Sequence, residues 1–378
     1  MVKKKVLQTS TLIIFVVLLS ACQSQWQIGI RTNESTAGTI LSEEVSFYID
    51  GLEEAEDQIP LAQVLYHHGF TLIDQISLLD EELIIQSYPW EEIAQGANIT
   101  SQGEININGE SYSPTTLEVI PAPLAQEIDL SILDLAPTMA EALDLPPLPD
   151  ATGQARSSYA AEQGVLIVVD GMQYQALEKF IAEGSLPFFQ SVPEIQLGVT
   201  VYPSITTAST AALLTGAPPQ VNGVFGYGYR TTELTTLFDH AVEHGLSVTA
   251  VEGHSLAFNL RSAEVILSGD RDGDGHTDDN VFANSLEVIQ TEMPDLLFIH
   301  FHDVDDMGHQ FGPNSAEYKD AVTRLDNYLS HIYQTLPSDT FLIISADHGM
   351  QDDPRSTGGN HGQLTQSAMT IPIIFLEK

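Results

Sequence analysis

Three unbroken apolar runs, each followed by an acidic residue, organise the second half of the chain. The runs occupy residues 164–169, 296–302 and 341–346, and they lead into Asp170, Asp303 and Asp347. Runs of this kind are typical of strands buried on both faces, in a parallel sheet covered by helices. Amphipathic stretches over 174–183 and 316–334 supply crossover helices. The pattern predicts an α/β domain over residues 123–378, a three-layer α/β/α fold with a mostly parallel sheet.

The region before this domain has a different pattern. From residue 43 to 122, short apolar runs alternate with turn signals, as in Val45–Ile49 before Asp50-Gly51 and Ile105–Ile107 before Asn108-Gly109. This pattern predicts a small β-rich accessory module, to which we assign no chemistry. Residues 23–42 are polar and rich in Thr and Ser, which favours a tether.

The start of the chain has the features of an export signal. Three lysines at 3–5 precede an unbroken apolar run, Leu12–Leu19, and the single cysteine of the chain follows at Cys22. The position of Cys22 resembles a bacterial lipobox, which implies a signal peptide over 1–22 and a lipid on Cys22. We expect an exported, extracytoplasmic bacterial lipoprotein that touches the membrane only through this anchor. The alternative is an ordinary signal peptide with an incidental cysteine.

The charge of the chain restricts its partners. Lys and Arg number 13 against 52 Asp and Glu, for a formal net charge of −39. Such acidity argues against binding nucleic acid, because the phosphate backbone would be repelled. Any phosphate group handled here needs a local positive charge, and with so few basic residues a bound metal is the obvious source. A single cysteine excludes a disulfide framework and a Cys-rich zinc site.

The acids that follow the strands are candidate metal ligands. In parallel sheets, side chains at the carboxyl ends of strands meet in one crevice. Several buried acids cannot stay ionised together without cations. His309 lies four residues after Asp305, and His348 and His361 follow the last run, so the set combines nitrogen and oxygen ligands suited to zinc. Two metals could share such a set. The alternative is that each acid caps the helix that follows it.

A nucleophile is expected near these acids. The segment 202–210 carries five serine and threonine hydroxyls before an apolar stretch. A hydroxyl at a helix start, bound to a divalent metal, would have a lowered pKa and would need no histidine base. A helix N-cap is the simpler interpretation of such a cluster, and the residue types alone do not choose among the five.

Together these motifs resemble those of the alkaline phosphatase superfamily, and most of all its type I phosphodiesterase/nucleotide pyrophosphatase branch. The motifs are Val169-Asp170-Gly171, Pro203–Thr206 upstream of Thr215-Gly216, Asp305–His309, Asp347–Gly349 and Asn360–Gly362. The resemblance covers about residues 164–378 and implies an alkaline-phosphatase-like fold. It implies Thr206 as the nucleophile, forming a phosphothreonine intermediate. It implies two Zn²⁺ ions, one held by Asp170, Thr206, Asp347 and His348, and the other by Asp305, His309 and His361.

The chain departs from the family pattern in ways that bear on the substrate. Tyr227 stands where the branch commonly has an asparagine, and no Arg lies near Thr206 to grip a doubly charged monoester. We therefore expect a small phosphate ester substrate, a diester or pyrophosphate, whose leaving group contacts Phe225, Tyr227 and Tyr229. One alternative is a phosphomonoesterase or phosphonate hydrolase of the same superfamily. Another is a catalytically silent metal-binding surface lipoprotein.

Residues 128–155 are Leu- and Pro-rich and resemble a segment that in this superfamily follows the last histidine motif. Here the segment precedes the first strand, which predicts a permuted closing element of the hydrolase domain. The alternative is an unrelated linker.

A second metal motif is predicted near residue 270. Asp270, Asp272, Asp274 and Asp278 occupy positions 1, 3, 5 and 9 of an EF-hand-type loop, with the carbonyl of His276 at position 7. This spacing suits one structural Ca²⁺ ion, although position 12 is Val281 instead of Glu. The alternative is a solvated acidic turn.

Overall fold

A computed structural model describes residues 25–32, 35–50, 57–122, 128–157, 159–271, 273–353 and 356–378. The predicted signal peptide and Cys22 lie outside these residues. Among the described residues, no helix combines the length and the apolar character needed to cross a bilayer.

The N-terminal module is β-rich, as predicted, and contains three short helices. Its strands are β1 Gln27–Thr32, β2 Ser35–Leu41, β3 Gln58–Pro60, β4 Ile73–Asp80, β5 Leu83–Pro89, β6 Asn98–Thr100, β7 Ile105–Ile107, β8 Glu110–Tyr112 and β9 Thr116–Pro121. Its helices are α1 Ser42–Asp50, α2 Leu61–His67 and α3 Trp90–Gly96. The strands form one sheet in the order β2-β1-β9-β4-β5 and another in the order β3-β6-β7-β8.

Two features of this module differ from the sequence predictions. The predicted tether, residues 23–42, contains β1 and β2, which pair antiparallel from Gln27↔Leu41 to Thr32↔Ser35. The strand β2 is mostly exposed, so its sequence lacks the apolar alternation that marks a strand. The run Val45–Ile49 lies in the helix α1, where a strand was predicted. Two glutamates in the first turn suit a helix N-terminus, and only Val45 of this run is fully buried.

The C-terminal α/β domain is built on an eight-stranded sheet. Its strands are β10 Leu130–Ser131, β11 Gln163–Val169, β12 Gln196–Val199, β13 Val248–Glu252, β14 Glu264–Leu267, β15 Leu296–Phe301, β16 Thr340–Ala346 and β19 Thr370–Glu377, with a small hairpin of β17 Gln351–Asp352 and β18 Gly359–Asn360. The sheet order is β10-β12-β19-β16-β11-β15-β13-β14, and only β19 runs antiparallel to its neighbours. This confirms the predicted α/β class with a mostly parallel sheet.

The helices of this domain connect and cover the sheet. They are α4 Leu135–Ala142, α5 Tyr174–Ala182, α6 Pro187–Ser191, α7 Thr206–Thr215, α8 Pro219–Asn222, α9 Leu237–Glu243, α10 Asp278–Thr291, α11 Asp303–Phe311, α12 Ala316–Thr335 and α13 Gln366–Met369, with a 3₁₀ turn at Ile132–Asp134. The central strands β15 and β16 are buried at every position. Successive residues of a strand point to opposite faces, so complete burial means that both faces of the sheet are covered. The main hydrophobic core lies at these covered faces.

Residues 128–155 belong structurally to this domain. The strand β10 extends the sheet edge by parallel pairing with β12, Leu130 opposite Gly198, and α4 contributes Leu135 and Met139 to the core. A linker would leave these residues outside the core. The permuted origin of the segment stays a prediction.

The accessory module packs against two loops of the C-terminal α/β domain. The indole Nε1 of Trp90 donates a hydrogen bond to the carbonyl of Leu364. Leu364 and Met369 are fully buried in the hydrophobic cluster of the module, and Tyr202 packs against the same cluster. These loops flank His361 and Thr206, so the module supports the region of the candidate site.

Candidate metal and phosphoryl-transfer site

Two acids meet where neighbouring central strands end. Asp170 follows β11 and Asp347 follows β16, and these strands pair in parallel with Val169 opposite Ala346. The Asp347 carboxylate is held through Oδ1, which accepts hydrogen bonds from the backbone N–H groups of Gly171 at 3.2 Å and His348 at 2.8 Å. Its other oxygen, Oδ2, is buried without a hydrogen-bond partner among the described residues.

Thr206 is the hydroxyl residue that faces these acids. It is the first residue of α7, and its Oγ1 lies 3.4 and 3.5 Å from the carboxylate oxygens of Asp170 and 3.3 Å from Nε2 of His348. Ser209, one turn further along, instead pairs with Thr200 at 3.0 Å. The structure therefore distinguishes among hydroxyls that the sequence alone left equivalent.

The second group of ligands is held by α11 and the hairpin. Asp305 and His309 lie one turn apart on α11, with His309 Nε2 at 3.3 Å from Asp305 Oδ2. His361 follows β18, and its Nε2 lies 3.7 Å from Asp305 Oδ1 and 3.0 Å from His309 Nε2. The two groups touch, because the rings of His348 and His361 stack with centroids 3.8 Å apart. All seven predicted ligand positions thus lie in one site.

The tautomers of the three histidines favour metal binding. The Nδ1 atom of His309 faces the carbonyl of Gly359 at 3.3 Å, and the Nδ1 atoms of His348 and His361 face backbone carbonyls at 3.0 Å each. Carbonyls only accept hydrogen bonds, so each Nδ1 carries a proton, and Nε2 is the ring nitrogen that faces the site and is available to a metal. Ligating histidines are commonly oriented by such contacts.

Cations would stabilise the buried carboxylates of the site. Burial and the neighbouring Asp170 raise the pKa of Asp347 to about 7. Burial opposes the charge of Asp170 as well, yet the adjacent imidazoles of His302 and His348 hold the pKa of Asp170 well below its ordinary value. Asp305 Oδ1, like Asp347 Oδ2, is buried without a hydrogen-bond partner among the described residues. Two ligand sets, Asp170–Asp347–His348 and Asp305–His348–His361, each have their donor atoms within 4.8 Å of one another. The residues present fit divalent metals.

Three residues of the site were missed by the sequence reasoning. Glu252 ends β13, His300 lies in β15, and His302 follows that strand. His302 Nδ1 lies 3.3 Å from Asp170 Oδ2, and despite burial the two histidines lower the pKa of Glu252 to about 2. The alternation Ile299-His300-Phe301-His302 puts both imidazoles on one face of the strand, which is the signal that could have identified them.

Asp303, the acid that ends the third apolar run, does not join the site. Its carboxylate accepts a hydrogen bond from the backbone N–H of Thr277 at 3.1 Å and pairs with His276 and Arg324. Asp305, in the first turn of α11, supplies the carboxylate instead. A strand end points alternate residues in opposite directions, so the last acid of a run need not face the crevice.

The three candidate substrate residues are exposed. Phe225, Tyr227 and Tyr229 are 39%, 58% and 42% exposed, respectively. Partial burial, together with the carboxylates of Asp305 and Asp170, raises the pKa of Tyr227 to about 12. Tyr227 therefore lies within electrostatic range of the site. The roles of all three residues stay predictions.

In the predicted calcium loop, the candidate ligand Asp278 already accepts hydrogen bonds from the backbone. Asp278 is buried, and its carboxylate accepts hydrogen bonds from the backbone N–H groups of His302 at 2.7 Å and Asp303 at 3.1 Å. Asp270 accepts from Gly275 at 3.1 Å across the loop. Asp272 lies outside the described residues. Calcium binding by the predicted set, Asp270, Asp272, Asp274, the carbonyl of His276 and Asp278, stays a prediction.

A family model, type I phosphodiesterase / nucleotide pyrophosphatase, matches residues 164–366. The chain belongs to this family. Its match spans more than half of the 378 residues and contains all seven ligand positions.

Known relatives share only part of the chain. The catalytic subunit of GPI ethanolamine phosphate transferase 3 from Homo sapiens is 26% identical over 106 residues, which cover 28% of this chain and 8% of that protein. Phosphopentomutase from Alkaliphilus oremlandii is 30% identical over 129 residues, covering 33% of this chain and 30% of that protein. The chain thus matches well under two thirds of the length of these relatives.

Solved structures were similar over comparable parts of the chain. Phosphonoacetate hydrolase from Sinorhizobium meliloti 1021 superposes with a TM-score of 0.42 at 19% identity, covering 54% of this chain and 57% of that one. The C-terminal periplasmic domain of EptC from Escherichia coli, in a complex with Zn, has a TM-score of 0.42 at 18% identity, covering 62% of this chain and 77% of that one.

Proposed function

We propose that this protein is an exported, lipid-anchored two-zinc hydrolase that cleaves phosphodiester or pyrophosphate bonds through a phosphothreonine intermediate. The observation that carries the proposal is the position of Thr206 Oγ1, within 3.5 Å of Asp170 and His348. A hydroxyl that faces a carboxylate can pass its proton to that group and attack phosphorus.

The chain's own residues account for the binding of the cations and for the first step. Asp170, Thr206, Asp347 and His348 would hold one zinc ion, and Asp305, His309 and His361 the other. When bound, these ions supply the charge that activates the hydroxyl and neutralises the phosphoryl oxygens. Thr206 Oγ1 then forms a bond to phosphorus while the bond to the leaving oxygen breaks, and water later cleaves the phosphothreonine.

Charge favours a diester over a monoester. A monoester near neutral pH carries close to two negative charges, and a diester carries one. Among the described residues, the ion pairs of Asp170, Asp305 and Asp347 are with histidines only. Because no lysine or arginine in the described part of the chain pairs with these acids, the monoester gains little extra stabilisation in the transition state.

The test compares a nitrophenyl diester with the nitrophenyl monoester of the same leaving group. We expect a higher kcat/KM for the diester, with both activities absent from Thr206→Ala purified in parallel. The adjacent buried hydroxyl provides a matched control, so Thr207→Ala should retain most activity. A higher kcat/KM for the monoester would assign the protein to phosphatase or phosphonate chemistry.

Transfer to an alcohol is a second candidate, favoured by the similarity to a phosphoethanolamine transferase. The phosphothreonine would then be discharged to a hydroxyl acceptor in place of water. Product analysis in the presence of glycerol separates the two outcomes, since hydrolysis yields no glycerol ester.

A further inference from the structure

A group of buried ionisable residues lies beside Asp170, outside the seven ligand positions. It consists of Glu252, His300 and His302. Glu252 is 2% exposed and His300 is 1% exposed, and about one fifth of the His302 side chain is exposed. Because β13 and β15 are neighbours in the sheet, their carboxyl ends bring these side chains together. The proposed hydrolysis assigns them no role.

Glu252 orients both imidazoles. Its Oε1 lies 3.2 Å from Nδ1 of His300, and its Oε2 lies 3.1 Å from Nε2 of His302. An ionised carboxylate only accepts hydrogen bonds, so each of these nitrogens donates its proton to Glu252. One carboxylate thereby sets the tautomers of two histidines, an arrangement common behind metal-ligating imidazoles.

The opposite nitrogens of the two rings face Asp170. His302 Nδ1 lies 3.3 Å and His300 Nε2 lies 3.8 Å from Asp170 Oδ2. His300 Nε2 is buried and has no hydrogen-bond partner among the described residues. Two ring nitrogens and a carboxylate oxygen thus converge on one point, where a divalent cation would take the place of imidazole protons.

We propose that Asp170, His300 and His302 form a third metal site for a divalent zinc-like ion. Their three donor atoms lie within 4.8 Å of one another. Ligands at about 2.0–2.1 Å from tetrahedral zinc are roughly 3.3 Å apart, close to the observed separations from Asp170. Two imidazoles and one carboxylate suit zinc better than magnesium or calcium, which prefer oxygen ligands.

The site goes beyond the proposed function, with which it shares one carboxylate. Asp170 Oδ1 lies 3.2 Å from His348 Nε2, while Oδ2 faces His300 and His302. The carboxylate would therefore bridge the third ion and the ion beside Thr206. Loading of the third site would fix the orientation of Asp170 and so position the nucleophile.

The test is a count of bound zinc. The purified full chain is stripped with a chelator, equilibrated with excess zinc, freed of unbound metal and analysed for zinc per chain. We expect three zinc ions in the unmodified protein and two in His300→Leu and His302→Asn. His240→Leu, which alters another buried histidine of the same domain, should keep three and controls for the loss of a buried imidazole.

A second variant tests the site with a smaller change, which is less able to cause misfolding. Glu252→Gln keeps the size of the side chain but weakens the orientation of both rings, so the third zinc should bind about 10–100-fold more weakly. Cobalt substitution gives an independent reading, because the absorption of the third Co²⁺ equivalent should vanish in His300→Leu. Circular dichroism establishes that each variant is folded.

The outcomes are distinct. An unmodified protein that saturates at two zinc ions, or a His300→Leu variant that keeps three, would overturn the third site, and His302 would then act as an imidazolium between Asp170 and Glu252. If His300→Leu loses one zinc while Asp305→Ala loses none, the third site stands and the proposed two-zinc hydrolase fails.

Discussion

Substituting Gly171 by alanine should impair the candidate metal site without adding any charge or removing any candidate ligand. Gly171 follows Asp170 with φ +68°. A Cβ placed on it would lie 2.6 Å from Oδ1 and 3.0 Å from Cα of Asp305. Since the second contact is with backbone, the start of α11 must move and cannot simply rotate a side chain.

The magnitude has two parts. A left-handed conformation costs an alanine about 1–2 kcal/mol of stability. Carbon atoms pack at about 3.5–4.0 Å, so relieving the contact shifts Asp305 by roughly 1 Å. A misplacement of that size at a reacting centre can lower activity by about 100-fold. We therefore expect a modest loss of stability together with a loss of about two orders of magnitude in kcat/KM.

Gly184→Ala separates these effects. Gly184 has φ +79°, and a Cβ there would meet only Nε2 of Gln190 at 3.9 Å. The backbone strain is thus similar, and the clash is absent. Thermal unfolding should show comparable midpoint shifts for both variants, whereas hydrolysis of the nitrophenyl diester should fall only in Gly171→Ala. Equal kcat/KM values in the two variants would refute the idea that close packing of Gly171 on Asp305 positions the site.

Other perturbations probe the nucleophile, the metals and the fold. Thr206→Ala should abolish turnover while elemental analysis shows nearly unchanged zinc, because three protein ligands remain at that position; substantial residual activity would exclude Thr206 as the nucleophile. Chelation should remove activity and zinc should restore it, and Asp305→Ala and Asp347→Ala should each lose one zinc ion; unchanged zinc in both would contradict the two-site assignment. Asp326→Ala should lower the free energy of unfolding by about 2–4 kcal/mol, because its buried carboxylate accepts two backbone hydrogen bonds at the start of α6. The exposed Asp320 on the same helix is the control in denaturant unfolding, with a change within about 0.5 kcal/mol for Asp320→Ala.

The central strands could be predicted because strands buried on both faces have unbroken apolar runs in the sequence. The predicted runs over 164–169 and 341–346 correspond to β11 and β16, which the structure extends by one residue at the start. The predicted helices over 174–183 and 316–334 agree with α5 and α12 to within a residue. In each case the apolar pattern of the segment and its burial in the folded domain indicate the same helix or strand.

The rest depended on contacts that no local pattern encodes. The edge strand β2 is mostly exposed and therefore carries no hydrophobic alternation. Glu252 became relevant only when the sheet order placed β13 beside β15. Asp303 and Asp305 are two residues apart and equally acidic, so their different surroundings follow from where α11 begins and not from residue type.

The contact between Trp90 and Leu364 joins the accessory module to the loop beside the candidate metal site. Leu364 and Met369 complete the hydrophobic cluster of the module, although the family match ends between them at residue 366. Loss of the module would leave two buried apolar side chains facing water next to the loop of His361. The two units should therefore unfold in a single transition. We then expect evolution to retain the module together with the C-terminal α/β domain, because another module in its place would not cover these side chains.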